Sequence, residues 1–152
     1  MTPQAAATVR VQDYLYRNIP LSRAMAVSVR AAHTERVVLA APLAPNINHR
    51  ETVFGGSAAA LAILAAWTLL HLRLERETFN GRIVIQASTI RYDKPIVDAF
   101  EAVCAFTDAP RWARFTATLY RRRRARITLD ATLYCGGDTV GAFSGEYVAL
   151  WA

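Results

Sequence analysis

The segment from Ser57 to Arg73 constrains this chain more than any other. It is apolar nearly all round, with Leu61, Leu64, Ala65, Trp67 and Leu69 on different faces of a helix, and a helix without a polar face has to be covered on most sides. At 1.5 Å per residue it runs about 25 Å, so its cover must be a large curved surface. Its most apolar part, Ala58 to Trp67 extended to Leu70 through Thr68, falls short of the roughly 18 to 20 residues that span a bilayer. The segment is therefore expected in a protein core and not in a membrane.

The cover is visible further along. Ile83 to Tyr92, Ala99 to Thr107, Arg126 to Tyr134 and Thr139 to Leu150 are rich in β-branched and aromatic residues, and the third alternates cleanly through Ile127, Leu129, Ala131 and Leu133. Cys135, Gly136, Gly137 and Asp138 predict a hairpin turn between the last two. Upstream, Met25 to Ala31 and Arg36 to Ala41 read as two more strands joined across His33 and Thr34. Val9 to Asn18 reads as a short helix, with Val11, Tyr14, Leu15 and Asn18 on one side and Pro20 ending it. A short helix or turn is expected around Arg111 to Tyr120. One long helix and five or six mostly antiparallel strands predict an α+β fold in which a single sheet curls round the helix. With 152 residues, 53% of them hydrophobic and 20% charged, one domain over residues 1–152 is expected and global disorder is excluded. The N-terminus lacks a basic start followed by an apolar stretch, so no secretory signal is expected and the cytosol is the expected location. Cys104 and Cys135 lack metal-type spacing and are read as free thiols.

The run PLAPNINHRETVFGGSAAALAILAAWTLL resembles the loop and central helix of hotdog-fold acyl thioesterases. In particular it resembles a bacterial thioesterase family that also occurs as a C-terminal domain behind a GNAT acetyltransferase domain. IRYDKPI is similar to that family's strand ending before a proline, and RRRRARITLDATLYCGGD to its basic turn and final hairpin. The resemblance spans Ile19 to Trp151 and implies a hotdog unit with no acetyltransferase domain, at least a homodimer, and a site at the subunit boundary that takes acyl-CoA or acyl carrier protein thioesters. Tyr147 and Trp151, expected to be exposed on the last strand, are compatible with pairing. Neither a metal nor a redox cofactor is implied.

Thioester hydrolysis puts negative charge on the carbonyl oxygen, so the site needs donors aimed at that oxygen and a positioned water. A helix N-terminus supplies both field and free N–H groups. Gly55 and Gly56 leave the backbone open to close approach, which makes the Gly55 N–H, helped by that of Gly56, the expected oxyanion donor; the same glycines would also serve a tight turn into the helix. Phe54, Gly56 and Ser57 at that start are expected to contact substrate, with the acyl chain along Phe54, Leu64 and Trp67. Asn48 stands seven residues before Gly55, and the resemblance implies that its amide orients water or substrate. Asn46 and Asn48 could instead hold the loop to itself, as Asn does in turns. His49 could act as general base or as a loop hydrogen-bond partner.

This chain departs from the family pattern at two positions. Where many relatives carry an acidic residue on the central helix, it has Ile63, and where they carry a His before the paired glycines, it has Phe54. No carboxylate occurs between Glu51 and Glu75. Water activation would then fall to His49, to Glu51, to a strand residue such as Asp93 reaching across a dimer interface, or to no residue, in which case the protein binds thioesters without cleaving them.

The net charge of +6 is local. Residues 1–110 carry 11 basic and 9 acidic side chains, residues 111–126 carry 7 and 0, and residues 127–152 carry 0 and 3. Arg121, Arg122, Arg123, Arg124 and Arg126 would attract the phosphates of acyl-CoA or the acidic helix of a carrier protein. A solvated basic turn is the plainer alternative. Nucleic acid is disfavoured, because Trp112, Phe115 and Tyr120 fall at helix-like spacing and are expected to pack, and no recognition motif accompanies them.

Overall fold

The central helix, α3, runs Gly55–Glu75, longer at both ends than the sequence pattern indicated and about 31 Å from end to end. That length and composition would cross a bilayer, but the helix is wrapped by the sheet. Leu61, Leu69 and Leu70 are fully buried on different sides of it. The computed structural model describes residues 1–152. The remaining elements in chain order are α1 (Pro3–Asn18), α2 (Pro20–Ala24), β1 (Ser28–Ala32), β2 (Arg36–Ala41), a 3-10 turn (Ala44–Asn46), β3 (Gly81–Tyr92), β4 (Phe100–Ala105), α4 (Ala109–Arg122), β5 (Arg124–Cys135) and β6 (Asp138–Trp151).

The six strands form one antiparallel sheet in the order β1-β2-β4-β5-β6-β3. Alternation decides which face meets α3: on β5, Ala125, Ile127, Leu129, Ala131 and Leu133 are buried while Arg124, Arg126, Thr128 and Asp130 are exposed. Gly136 and Gly137 take φ of +58° and +84°, the left-handed pair that a two-residue hairpin between twisted strands requires. The far end of α3 is tied down by Arg73, whose Nη1 donates to Thr34 O at 2.6 Å and Phe106 O at 3.3 Å.

Several expectations are corrected. α1 starts at Pro3, not Val9, because Thr2 caps it by accepting from Ala5 N–H at 3.0 Å. Asn18 is exposed and donates back to Tyr14 O. Pro20 begins α2 as well as ending α1. Tyr147 is fully buried, not exposed. It shares the inner face of β6 with Phe143 and Ala149, and its hydroxyl donates to Ile63 O at 2.6 Å. The basic run is not one turn: Arg121 and Arg122 close α4, Arg123 is its left-handed cap (φ 63°), and Arg124 and Arg126 are on β5.

α4 begins at Asp108, whose Oδ1 accepts from Arg111 N–H at 3.0 Å, and buries Phe115 and Leu119 with Trp112 half-buried beside them. It lies where β4 stops. β4 pairs with β5 only from Phe100↔Cys135 to Cys104↔Ala131, so residues 124–130 of β5 face α4 across a groove.

Cys104 and Cys135 are both free. Cys104 pairs with Ala131, and Cys135 stands four residues on along β5, about 13 Å away and beyond disulfide reach. Burial, with Asp130 adding to it, pushes the Cys104 thiol up to about 12. Ellman's reagent is therefore expected to titrate no more than one thiol in the native chain, Cys135, and two after denaturation. Rapid reaction of both in the native state would contradict this core.

Candidate active site at the N-terminus of the central helix

The loop into α3 is held by its own backbone and by two asparagines. Ile47 bridges Val53, Asn48 N–H donates to Thr52 O at 2.8 Å, Val53 N–H to Ile96 O at 2.8 Å and Phe54 N–H to Asn46 O at 2.8 Å. Asn46 is buried, and its Nδ2 donates to Met25 O at 3.0 Å and Pro42 O at 2.8 Å. Those bonds fasten the loop to the body of the protein, and the buried Asn46 Oδ1 has no hydrogen-bond partner in the chain. Asn48 folds back on its own turn: Oδ1 accepts from Arg50 N–H at 2.8 Å and Thr52 N–H at 3.1 Å, and Nδ2 donates to Thr52 Oγ1 at 2.9 Å. The geometry in this chain is the turn-forming one. His49 is exposed beside it.

The helix start leaves donors free. No side chain caps it: Phe54 holds the cap position. Of the four leading N–H groups, those of Phe54 and Ser57 are taken, the second by Phe54 O at 2.9 Å. The N–H groups of Gly55 and Gly56 donate to no group of the chain. Both glycines line a cleft of about 480 Å³, at the helix end toward which leading N–H groups point, together with Thr52, Val53, Ala58, Tyr92, Asp93, Lys94, Pro95 and Ile96. The Phe54 ring lies over Gly56, where a Cβ would run into it, so the glycine is needed for this arrangement. Phe54 is exposed and Ser57 half-buried, and neither is among the residues that line the cleft.

The end of β3 supplies the wall that sequence reading underrated. Tyr92 Oη donates to Gly55 O at 2.9 Å, tying strand to helix, and Asp93 follows it as part of this chain's own cleft wall. Arg91 donates through Nε to Asp93 Oδ1 at 2.7 Å and through Nη2 to Oδ2 at 3.3 Å. That hydrogen bond holds the Asp93 carboxyl below the ordinary carboxylate range. Lys94, the one lysine of the chain, is its neighbour. The signal for this wall was the strand ending before Pro95.

The anticipated acyl path does not form one channel. Leu64 is in the core. Trp67 stacks with His71 at 5.0 Å and Tyr14 at 6.3 Å, and its Nε1 donates to Ile83 O at 3.1 Å. Val53, Ala58, Pro95 and Ile96 make the apolar wall of the cleft instead.

The arginines are elsewhere. A groove of about 560 Å³ between α4 and β5 is lined in part by Arg111, Arg114, Arg126 and Asp130. Arg126 Nε meets Glu146 Oε1 at 3.0 Å and Arg123 lies 4.5 Å over the Trp151 ring, while Arg121, Arg122 and Arg124 are exposed. α4 sits at the far end of α3, where Arg73 stacks 4.5 Å over Trp112 and Glu77 accepts from Trp112 Nε1 and Tyr120 Oη. Along α3 that is about 30 Å from Gly55, so one chain does not bring its arginines and its glycines together. Trp112 and Phe115 pack as expected, while Tyr120 touches Trp151 but stays exposed.

Residues 8–151 match the family described as "Putative thioesterase (yiiD_Cterm)". The chain belongs to this thioesterase family. The putative thioesterase of Shewanella oneidensis has a similar structure, with TM-score 0.85 and 29% identity over 96% of this chain and 99% of that one. A protein of unknown function from Chlorobaculum tepidum superposes with TM-score 0.90 at 26% identity, over 95% and 94%. The phenylacetic acid degradation protein PaaI of E. coli shares the fold at TM-score 0.69 and 14% identity, over 95% and 94%. The family and these neighbours identify the architecture as the hotdog fold, and the family match with the Shewanella oneidensis structure supports thioester hydrolysis as the general chemistry.

Proposed function

We propose that the protein is a cytosolic homodimer that hydrolyses acyl thioesters of coenzyme A or of an acyl carrier protein. One observation carries the reading: two free backbone N–H groups at the start of a 21-residue helix open on a cleft with an apolar wall. A thioester carbonyl oxygen placed against Gly55 and Gly56 gains two donors and the positive end of the helix. Water attacks the carbonyl carbon, the oxyanion forms against those donors, and on collapse the C–S bond breaks with the electron pair leaving on sulfur. The reading invokes no metal or redox cofactor.

Pairing is supported by β3. It is the last strand of the sheet, twelve residues long, with its outer edge unpaired and Val84 and Tyr92 exposed. Such an edge is a template for another strand, and a second copy laid antiparallel would cover it. It would also bring the partner's arginine-bearing end toward this chain's Gly55 end, where the phosphates of a bound carrier would meet it.

The test is thiol release from acyl-CoA and acyl carrier protein substrates over a range of chain lengths. Turnover of either carrier is the expected result, with Asn48→Ala changing the rate only as far as the loop loosens. Ile63, in place of a helix carboxylate, favours one rival: a module that binds acyl-CoA, gains thermal stability from it and releases no thiol. Salt-sensitive binding of RNA or DNA without either response would point to the arginine groove as the working surface.

A further inference from the structure

We propose that Asp93 is the catalytic carboxylate of this site, the group that takes a proton from the attacking water. The inference rests on the hydrolase reading above. Asp93 lines the cleft into which the Gly55 and Gly56 N–H groups open, and it is the only carboxylate among the lining residues. α3 offers no carboxylate before Glu75 at its opposite end. His49 and Glu51 are exposed on the neighbouring loop and are not part of the cleft wall.

The position of Asp93 is fixed from three directions. Its N–H and that of Lys94 both donate to Val140 O, at 2.9 and 3.2 Å, Tyr92 is anchored to Gly55 O, and Arg91 grips the carboxylate through two nitrogens. A carboxylate bonded in this way keeps lone pairs for a further donor, so a water between it and the bound carbonyl would be oriented at both ends. As the water oxygen bonds to the carbonyl carbon, its proton passes to an Asp93 oxygen and the carbonyl electron pair moves onto the oxygen facing Gly55. On collapse the carbonyl re-forms, the C–S bond breaks, and the departing sulfur takes the proton from Asp93. The products are a carboxylic acid and a thiol, and Asp93 is again ionised.

The charged groups around Asp93 are Arg91 and Lys94 on its own segment. The loop and helix walls contribute Thr52, Val53, Gly55, Gly56 and Ala58, none of which titrates; Tyr92 beside it carries a phenol, and β6 contributes Val140 with Asp138 two residues before it. The ionised form is the active one, and Arg91 favours it. Activity should therefore persist as pH falls until below the ordinary carboxylate range, and Arg91→Met should move that acid limb upward.

Asp93→Asn is expected to lower kcat by about 10²- to 10⁴-fold with KM within a few-fold and the melting temperature unchanged. Asp93→Ser should do the same if the amide perturbs folding. Asp13→Asn, exposed on α1 and outside the cleft, removes the same charge and should leave kcat unchanged. A parent enzyme that turns over while Asp93→Asn stays within about threefold of it overturns this assignment alone. A parent that releases no thiol from any thioester overturns the hydrolase reading and the assignment with it.

Discussion

Gly55→Pro is expected to fold and melt like the parent and to lose about 10²- to 10³-fold in kcat. Proline is favoured at the first position of a helix, because its fixed φ suits the helix and its missing N–H has no intrahelical partner to lose. The preceding residue must be extended, and Phe54 already is, at φ −59° and ψ 131°. The new Cβ would stand 3.3 Å from the Tyr92 hydroxyl, a tight contact with an exposed side chain that can move by a few tenths of an ångström. What the substitution removes is one oxyanion donor, with the Gly56 N–H left to hold part of the charge. Gly55→Ala keeps the N–H and reports the steric share alone. Thiol-release kinetics and a melting curve on the same preparation decide the matter. Full turnover by the folded proline variant would take the Gly55 N–H out of the mechanism.

The largest loss of stability is expected from Leu69→Ala. Leu69 is fully buried in the core packed around α3, where the surrounding side chains cannot close the space left behind. Large-to-small changes at such sites cost about 2–5 kcal/mol, and for a chain of this size each kcal/mol lowers Tm by about 2–4 °C. A drop of roughly 4–20 °C should appear in a thermal scan, whereas Val97→Ala, 63% exposed on the loop after β3, should stay within about 0.5 kcal/mol. Below its melting range the Leu69→Ala chain should retain the parent's kcat, since Leu69 lies more than three turns from Gly55. Equal melting temperatures for the two variants would contradict the wrapped-helix architecture.

How much could be read in advance depended on whether the deciding interaction was local. The all-apolar helix, the alternation in β5 and the glycine pair in the last hairpin are local patterns, and each is present in the structure where its residues indicated. The Gly55-Gly56 helix start was legible for the same reason. The hydrogen bonding of Asn48 was not, because a turn asparagine and a water-orienting asparagine look alike in sequence; the bonds to Arg50, Thr52 and Val53 are visible only in the structure. Tyr147 was misjudged because its burial comes from α3, eighty-four positions away in sequence at Ile63 O.

The amino-acid order by itself determined the elements, the need for a curved cover around α3 and the family resemblance, since periodicity, turn chemistry and motif spacing are properties of neighbouring residues. Tertiary structure alone decided which polar groups share the cleft. Tyr92 and Asp93 reach Gly55 from thirty-seven and thirty-eight positions down the chain because β3 runs back along α3. The arginines, by contrast, are carried to the opposite end by α4 docking where β4 stops. Those placements follow from strand order and from where each strand ends, quantities that no local window of residues contains.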